Sequence, residues 1–440
     1  MKNLLAIKGK TTEIWRHQGF QKYFKNTGWL FAGRIFSLAI SFFVGIYVAR
    51  YLGPSNYGLM SFAISFVGIF GVLSSLGIDE IVNREIVKNH NIKDKIIGTA
   101  FFIKISGSVL AIFFIFLASF AITDEMFTLI LIWLFSLHYV PQAFNVIETY
   151  FQSQVLSKKI VKAQILSGII SAVLKLGVIL LNKGIFWLLF IYVVEIALVA
   201  LFLIVAFLKS GHHFKNWKFD KKIALSLLRD SWPMILSGLS VGVYMKIDQI
   251  MINHFLNNEA TGIYAISVKL SEIWYLIPTI IGASIFPAII NSLSVSNEKF
   301  ESRLSKLYFV MFWSSLIFSA VVSIFAQKII TLLFGEQYIG ATPVLQVYIW
   351  SLVAVSLGIV IGKYLIAKNL TKITLYTTII GALLNIVLNI ILIPKMGIAG
   401  AAYATIISYL VVNFSIVLFK DSRAHFLLIT KSIFNLNYKR

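Results

Sequence analysis

The 440-residue sequence contains no cysteine, which excludes disulfide bonds and thiolate metal sites. Charge is scarce as well, because Asp, Glu, Lys and Arg make up only 13% of the residues, and only 18 of those residues are acidic. By contrast, 58% of the residues are hydrophobic and the mean hydropathy is +0.85. These polar residues are too few to cover the surface of a soluble globular protein. The composition therefore predicts an integral membrane protein.

Apolar runs of about 20 residues recur along the chain, and each is long enough to cross a bilayer as a helix. No apolar run precedes Trp29, so we expect the first span to stay in the membrane rather than be cleaved as a signal peptide. We predict an all-α fold with twelve transmembrane helices at 27–49, 57–78, 96–120, 126–149, 160–181, 184–208, 231–256, 260–290, 304–326, 342–367, 372–394 and 400–419. The predicted division is a tail (1–26), a six-helix lobe (27–208), a basic linker (209–230), a second six-helix lobe (231–419) and a tail (420–440).

The charge of the loops predicts the orientation of the chain. Loops on the predicted inner side carry 28 Lys and Arg residues, whereas the outer loops carry 4. Because basic loops remain in the cytoplasm, both termini are predicted to be cytoplasmic. The net charge of +21 then follows from topology and indicates contact with the lipid bilayer, not with nucleic acid.

The two halves of the sequence resemble each other, which predicts a duplicated six-helix unit. Two sets of residues recur, Leu52 and Gly58 after 204 residues as Leu256 and Gly262, and Gly168 and Gly184 after 213 residues as Gly381 and Gly397. Six helices is an even number, so the copies have the same orientation in the membrane. Parallel repeats of this kind are typical of transporters that bind substrate between the halves.

Seven basic residues lie within the predicted spans: Arg34, Lys104, Lys162, Lys175, Lys246, Lys269 and Lys363. Each would cost about 2.5–3.5 kcal/mol if it faced lipid near the midplane. Most must therefore form ion pairs, reach the interface or face a watery cavity. Lys363 is close to the inner end of its span and is expected to reach the interface.

The seventh and eighth spans carry charges of both signs at similar depth, with Lys246 and Asp248 on one and Lys269 and Glu272 on the other. Helical phase turns Asp248 away from Lys246, so we predict that Asp248 pairs with Lys269. One interpretation is that these groups act in transport. The alternative is that they are structural ion pairs that lock the hairpin.

Gln249 and Asn253 share the helical stripe of Lys246, which we predict to face the central cavity. Elsewhere, Lys175 and Glu195 could pair across adjacent helices, and Asn385 and Asn389, four residues apart, indicate hydrogen bonding between helices. The sequence has no metal-ligand spacing and no P-loop, so we expect no cofactor, no metal and no enzymatic activity.

Five stretches together resemble the polysaccharide-biosynthesis flippases of the multidrug/oligosaccharidyl-lipid/polysaccharide exporter superfamily. They are VARYLGPSNYG (48–58), SSLGIDEIVNREI (74–86), YMKIDQIMINHFLNNEATGIYAISVKLSEIW (244–274), LLFGEQYIGA (332–341) and NIVLNIILIPKMGIAGAAYATIISY (385–409). The resemblance implies two pseudo-symmetric lobes in a V shape, like that of multidrug and toxin extrusion transporters. It also implies translocation of an undecaprenyl-pyrophosphate-linked oligosaccharide from the inner to the outer leaflet of a bacterial cytoplasmic (inner) membrane, for O-antigen, capsule or exopolysaccharide assembly. The polymerase and chain-length regulator of such a pathway become candidate partners.

Within that resemblance, the intramembrane cations acquire a role. A pyrophosphate headgroup cannot cross hydrocarbon unassisted, and fixed cations can replace its hydration. Arg34, Lys246 and Lys269 lie on helices that line the cavity in this family and are predicted to bind the headgroup. Gln249 and Asn253 are predicted to face sugar hydroxyls, while Asp248 and Glu272 are predicted to couple transport to a proton or sodium gradient.

Three other functions are alternatives to the flippase. An ion-coupled multidrug antiporter shares the fold, but export of organic cations favours a cavity rich in carboxylates, and the spans hold seven cations against four carboxylates. A peptidoglycan-precursor flippase usually has more than twelve helices. An O-antigen polymerase or ligase would need a large basic outer loop, and the outer loops here are short.

Overall fold

The computed structural model describes residues 18–293 and 295–434, so 1–17 and 435–440 of the predicted tails lie outside the described residues. The described residues form helices and no strands, which confirms the all-α prediction. A helix satisfies its backbone hydrogen bonds internally, as a lipid environment requires. The helices of the first half are α1 (Gln18–Ile69), α2 (Gly71–Ser75), α3 (Asp79–Lys88), α4 (Lys93–Phe120), α5 (Met126–Ser136), α6 (Tyr139–Gln142), α7 (Val146–Ser153), α8 (Ser157–Leu180) and α9 (Ile185–Leu208).

The second half continues the same pattern of long helices joined by short turns. Its helices are α10 (Lys221–Phe255), α11 (Asn258–Glu272), α12 (Leu276–Leu293), α13 (Asn297–Phe334), α14 (Ala341–Tyr348), α15 (Ser351–Ala367), α16 (Thr371–Met396), α17 (Ile398–Phe414) and α18 (Arg423–Phe434). Side-chain caps mark two of the starts. Asn257 accepts a hydrogen bond from the Ala260 amide before α11, and Ser296 accepts one from the Lys299 amide before α13.

Within the described residues, eleven helical segments are long and apolar enough to cross a membrane, where the sequence predicts twelve. The difference arises in α1, a 52-residue helix that contains the predicted span 27–49 and most of the span 57–78. Helix α1 is broken at Gly53 (φ 68°, ψ 172°), directly before Pro54. A positive φ favours glycine, and proline has no amide hydrogen for the helix ladder. The break lies in the predicted first outer loop.

Contacts between Cα atoms divide the chain into two compact units. The first unit contains the chain up to Val48 and Phe70–Leu236, and the second contains Ala49–Ile69 and the chain from Ser237 onward. Helices α1 and α10 therefore each contribute to both units. Compactness groups residues by contact whereas the predicted lobes follow the repeat, so the lobe boundaries 27–208 and 231–419 stay a prediction.

In the second unit, α1 and α11 approach closely at two glycines. A Cβ atom on Gly58 would collide with the carbonyl oxygen of Asn258, and a Cβ atom on Gly262 would collide with that of Pro54. Pro54 and Asn258 are themselves 204 residues apart, so the contact is reciprocal. Reciprocal contacts are typical of segments related by a two-fold axis, which supports the duplicated unit.

Each unit has its own apolar core. In the first unit, the buried aromatic residues Tyr150, Phe151 and Phe207 pack with aliphatic residues of α3, α4 and α8. In the second unit, a small core around Tyr264 and Tyr348 includes Ile252 of α10 and Ala401 of α17. Tyr264 of this small core also takes part in a buried polar cluster.

Candidate functional site

A buried polar cluster forms around Asp248 on α10, and Asp248 itself is only 4% exposed. The Tyr264 hydroxyl on α11 donates to Oδ2 at 2.7 Å, and the Asn389 amide on α16 donates to Oδ1 at 2.6 Å. The Thr405 hydroxyl on α17 also donates to Oδ2. Asn389 in addition lies 3.1 Å from the side-chain oxygen of Asn385, one turn earlier on α16. Four helices thus converge on one carboxylate through neutral groups, and we call these five residues the Asp248 cluster.

The predicted ion pair between Asp248 and Lys269 is not formed in the described part of the chain. Tyr264 and Lys269 are five residues apart on α11, which places them about 140° apart around the helix axis. The face that presents Tyr264 to Asp248 therefore directs Lys269 elsewhere. The carboxylate charge is stabilised by hydrogen bonds from neutral groups, and a cation or a proton would complete its neutralisation.

Glu272 is the last residue of α11. Its Oε1 atom is buried without a hydrogen-bond partner in the described structure. Two aromatic pairs connect helices of the same unit, Tyr264 with Tyr348 and Tyr244 with Tyr409, with ring centroids 5.9 Å and 5.1 Å apart. An unsatisfied carboxylate oxygen is costly, so this position can accept a proton or a donor from a ligand.

The two amides predicted to face sugar are engaged within the second unit. Gln249 is 7% exposed and its Oε1 accepts a hydrogen bond from Ser65 at 2.8 Å. Asn253 donates to Asn258 at 2.6 Å, next to the turn that begins α11. Binding of sugar by either residue would therefore require these hydrogen bonds to be exchanged.

Arg34 belongs to the first unit, whereas the other six predicted site residues belong to the second. The exposed Arg34 side chain lines a cavity of about 220 Å³ between α1, α8 and α9. Lys175 and Glu195 also line it and form an ion pair with an Nζ–Oε2 distance of 2.8 Å, which confirms the predicted pairing. Ser171 donates to the same Glu195 oxygen at 2.6 Å, and the Lys175 ammonium lies 3.5 Å from the centroid of the Tyr192 ring.

Sequence reasoning identified part of the Asp248 cluster and missed the rest. The prediction of interhelical hydrogen bonding for the asparagine pair is confirmed by the bond from Asn389 to Asp248. The sequence prediction does not include Tyr264. A signal for it was present, because Tyr264 and Asp248 each lie eight residues from Leu256 in the turn between α10 and α11, and so lie at the same depth in the hairpin. Thr405 carried no signal of its own, because a threonine in an apolar helix usually bonds to its own backbone.

The arrangement suits a small cation better than a cofactor. Carboxylate, amide and hydroxyl oxygens are the ligands that hard cations prefer. The described residues contain no group of three or more His, Asp or Glu side chains that could hold a transition metal. The oxygen atoms of the Asp248 cluster are therefore of the kind that bind a proton or a hard cation.

Comparison with known proteins places the chain in a family. Residues 23–293 match the family model described as "Polysaccharide biosynthesis protein", which is more than half of the chain. The chain belongs to this family. A second model, described as MatE, matches residues 233–391, within the second predicted lobe.

Two proteins with sequences similar to this chain are named as a flippase and a transporter. A probable low-salt glycan biosynthesis flippase of Haloferax volcanii is 30% identical over 199 residues, which cover 43% of this chain and 40% of that protein. A protein assigned as an O-antigen transporter of Shigella flexneri is 23% identical over 401 residues, covering 86% and 93%. The chain thus matches less than half the length of the Haloferax relative. These names agree with the prediction that the chain is not an enzyme.

Solved structures confirm the transporter fold. An inward-facing multidrug transporter of the same superfamily has a TM-score of 0.72 at 16% identity, covering 90% of this chain and 96% of the other. The lipid II flippase MurJ, in an inward closed conformation, has a TM-score of 0.69 at 16% identity, covering 93% and 91%. Because the two scores are so close, the fold does not distinguish a drug antiporter from a lipid flippase.

Proposed function

We propose that this protein is a flippase that moves an oligosaccharide linked to undecaprenyl pyrophosphate from the inner to the outer leaflet by alternating access. The product would enter O-antigen, capsule or exopolysaccharide assembly. The observation that carries the proposal is the match to the polysaccharide biosynthesis family over residues 23–293. The excess of Lys and Arg on the inner-side loops supports a cytoplasmic membrane location with both termini cytoplasmic.

The intramembrane cations support an anionic cargo. In the first unit, Lys104 is paired with Asp79 and Lys175 with Glu195, which neutralises two of the seven. Arg34 lies in a cavity beside polar groups, and Lys246 is only half-buried. We propose that Arg34, Lys246 and Lys269 bind the pyrophosphate, with Gln249 and Asn253 exchanging their present hydrogen bonds for sugar hydroxyls.

We also propose that Asp248 and Glu272 couple transport to a cation gradient. The Asp248 carboxylate is buried and receives hydrogen bonds from neutral donors on three other helices. Binding a proton or a monovalent cation would remove its net charge and change how strongly α10, α11, α16 and α17 are held together. A ligand that binds one conformation better than the other shifts the population toward that conformation. The pathway's polymerase and chain-length regulator would receive the cargo.

The cargo is tested by translocation in proteoliposomes that contain the full-length protein. A fluorescent polyprenyl-pyrophosphate oligosaccharide is compared with the same oligosaccharide on an uncharged lipid. We expect faster translocation than in protein-free liposomes for the charged lipid and not for the uncharged lipid. Equal rates for both would contradict an anionic headgroup as the recognised feature.

The coupling role is tested by Asp248→Asn in the same assay. Asparagine keeps the size of the side chain but removes its charge, so we expect a rate that no longer depends on pH or Na⁺ and is at least about tenfold lower under a gradient, equivalent to about 1.4 kcal/mol. Asn253→Ala serves as a variant outside the Asp248 cluster and should keep the gradient dependence. Transport by the wild-type protein at zero membrane potential and zero ion gradient, at the full rate, would remove the coupling proposal.

The multidrug antiporter is the second candidate, because the inward-facing multidrug transporter has the same fold. The likeness at 16% identity shows the fold alone. A drug-resistance assay in cells that lack their own exporters distinguishes the two. Resistance without any restoration of surface glycan in a flippase-deficient strain would favour the antiporter.

A further inference from the structure

The cavity of the first unit and the Asp248 cluster of the second are formed largely by equivalent helices of the repeat. Helices α8 and α9 correspond to α16 and α17 at an offset of 213 residues, set by Gly168 with Gly381 and Gly184 with Gly397. The offset extends beyond the helices. His212 and His425 are also 213 residues apart, and each has its Nε2 atom 2.8 Å from a tyrosine hydroxyl.

Equivalent positions can therefore be compared residue by residue. At this offset Asn385 corresponds to Ala172 and Thr405 corresponds to Tyr192. At the offset of 204 that relates α1 to α10, Asp248 corresponds to Val44. Three of the five members of the Asp248 cluster thus have counterparts, Val44, Ala172 and Tyr192, that line the cavity of the first unit, whereas Leu176, the counterpart of Asn389, is not among its lining residues.

The chemistry at the two places differs in one decisive respect. In the second unit, the carboxylate of Asp248 receives hydrogen bonds from neutral groups. In the first unit, the carboxylate is Glu195 on α9, at the position of Ser408 on α17 and not at that of Asp248. Its partner is the ammonium of Lys175, which is only 5% exposed. A lysine ammonium has the charge of a monovalent cation, but its covalent attachment to α8 prevents it from leaving.

We propose that Lys175 is a tethered cation that permanently fills, in the first unit, the place where the second unit binds an exchangeable one. The first unit is then a latent site for a small monovalent cation of the ammonium class, formed by Glu195, Ser171 and the face of Tyr192. Ion exchange is confined to the second unit, so one coupling ion is used where the duplicated fold offers two places. The proposal rests on the coupling role of Asp248.

Chemical rescue tests the latent site. In Lys175→Ala, the missing ammonium can be replaced by propylammonium chloride, with tetramethylammonium chloride as a control of equal charge that cannot donate a hydrogen bond. We expect the melting temperature of the full-length variant to rise saturably with propylammonium, by roughly 2 °C or more, and not with the control. The wild-type protein should show no such rise, and Lys175→Ala combined with Glu195→Gln should show none because the carboxylate is gone. Equal responses to both salts, or a response that survives Glu195→Gln, would overturn the proposal.

A second variant covers the case in which Lys175→Ala does not fold. Lys175→Met combined with Glu195→Gln removes both charges and leaves no buried carboxylate unpaired. The translocation that this variant supports should keep the dependence on pH or Na⁺ seen in the wild-type protein. Loss of that dependence would place ion exchange in the first unit and contradict the proposal.

The two proposals can fail separately. If Asp248→Asn keeps the ion dependence while Lys175→Ala still responds to propylammonium, the coupling role of Asp248 is wrong and the tethered cation stands. If Asp248→Asn loses the ion dependence while Lys175→Ala responds equally to both salts, the coupling role stands and the tethered cation is wrong.

Discussion

At the scale of single residues, the main feature of the second unit is the set of hydrogen bonds that the buried carboxylate of Asp248 accepts. A buried charge without hydrogen bonds destabilises the folded state. Asp248 avoids this because it accepts hydrogen bonds from side chains on α11, α16 and α17. Each donor comes from a different helix. The cluster therefore connects four helices, and a change in the charge of Asp248 reaches all of them.

Thr405→Val should destabilise the protein because it removes one of those donors while preserving the shape of the side chain. We expect a loss of about 1–3 kcal/mol, the usual cost of leaving a buried polar group short of a partner. Ser408→Ala is the matched control, since Ser408 is also fully buried on α17 but donates only to its own helix, at the Ala404 carbonyl. Thermal unfolding in a constant detergent measures both. Equal melting temperatures for the two variants would show that Thr405 does not support the carboxylate.

At the scale of helices, the apolar runs predict nearly all of the membrane-spanning elements, because a run of about 20 apolar residues has one stable form in lipid. The count differs only at α1, a single helix broken at Gly53 that contains one predicted span and most of the next. Helical phase predicts which face of α10 carries Asp248 but not which neighbour that face meets. The choice among α11, α16 and α17 depends on packing between helices that are distant in sequence, so the partner of Asp248 was assigned wrongly.

Gly58→Ala and Gly262→Ala should each disrupt the contact between α1 and α11. A Cβ atom on either glycine would meet backbone atoms, which cannot move aside as a flexible side chain can. We expect a loss of roughly 1–3 kcal/mol for each, measured by thermal unfolding. Gly177→Ala on α8 is the control, because nothing lies within 4 Å of its Cβ position. It should be neutral or stabilising by about 0.5–1 kcal/mol, and equal losses at Gly177 and Gly58 would contradict the close approach.

Helix α18 lies outside the membrane-spanning segments and docks through His425, which is 3% exposed. The ring stacks on Tyr364 with centroids 3.4 Å apart, and Nε2 lies 2.8 Å from the Tyr308 hydroxyl. Burial, assisted by the positive charge of Lys368, lowers the pKa of His425 to about 3. The imidazole is therefore neutral in the folded protein at physiological pH.

Docking of α18 should weaken in acid. Between about pH 6.5, the pKa of an unfolded histidine, and about pH 3, the unfolded state binds the proton and the folded state does not, so stability falls as the pH falls. At pH 5 the loss is about 2 kcal/mol relative to pH 7.5. His425→Phe keeps the stacking and removes the titration, so its thermal unfolding should lose less stability over the same range. Identical losses in the wild-type and His425→Phe proteins would exclude His425 as the cause.

At the scale of the whole molecule, the fold resembles those of a multidrug transporter and of a lipid flippase, so the fold alone does not identify the cargo. In the function proposed above, the charges that the helices carry determine the cargo. The positions of those charges within the spans are evident from the sequence, because a basic residue stands out in an apolar run. The sequence predicts their pairing only in part. Lys175 forms the ion pair with Glu195 that the sequence predicts. Asp248 instead accepts hydrogen bonds from residues on distant helices, such as Asn389, and the sequence does not predict these contacts.

The most direct test of the central claim compares rates of translocation among variants that lack one intramembrane cation. In proteoliposomes with a fluorescent polyprenyl-pyrophosphate oligosaccharide, Arg34→Ala, Lys246→Ala and Lys269→Ala should each lower the initial rate at least about tenfold, equivalent to about 1.4 kcal/mol. Lys363→Ala is the control, since the Lys363 ammonium lies 4.6 Å from the centroid of the Phe286 ring near the predicted inner end of its span, and its rate should stay within about twofold of wild type. Wild-type rates in all three variants, or an equal loss in Lys363→Ala, would contradict the claim that these cations bind the headgroup.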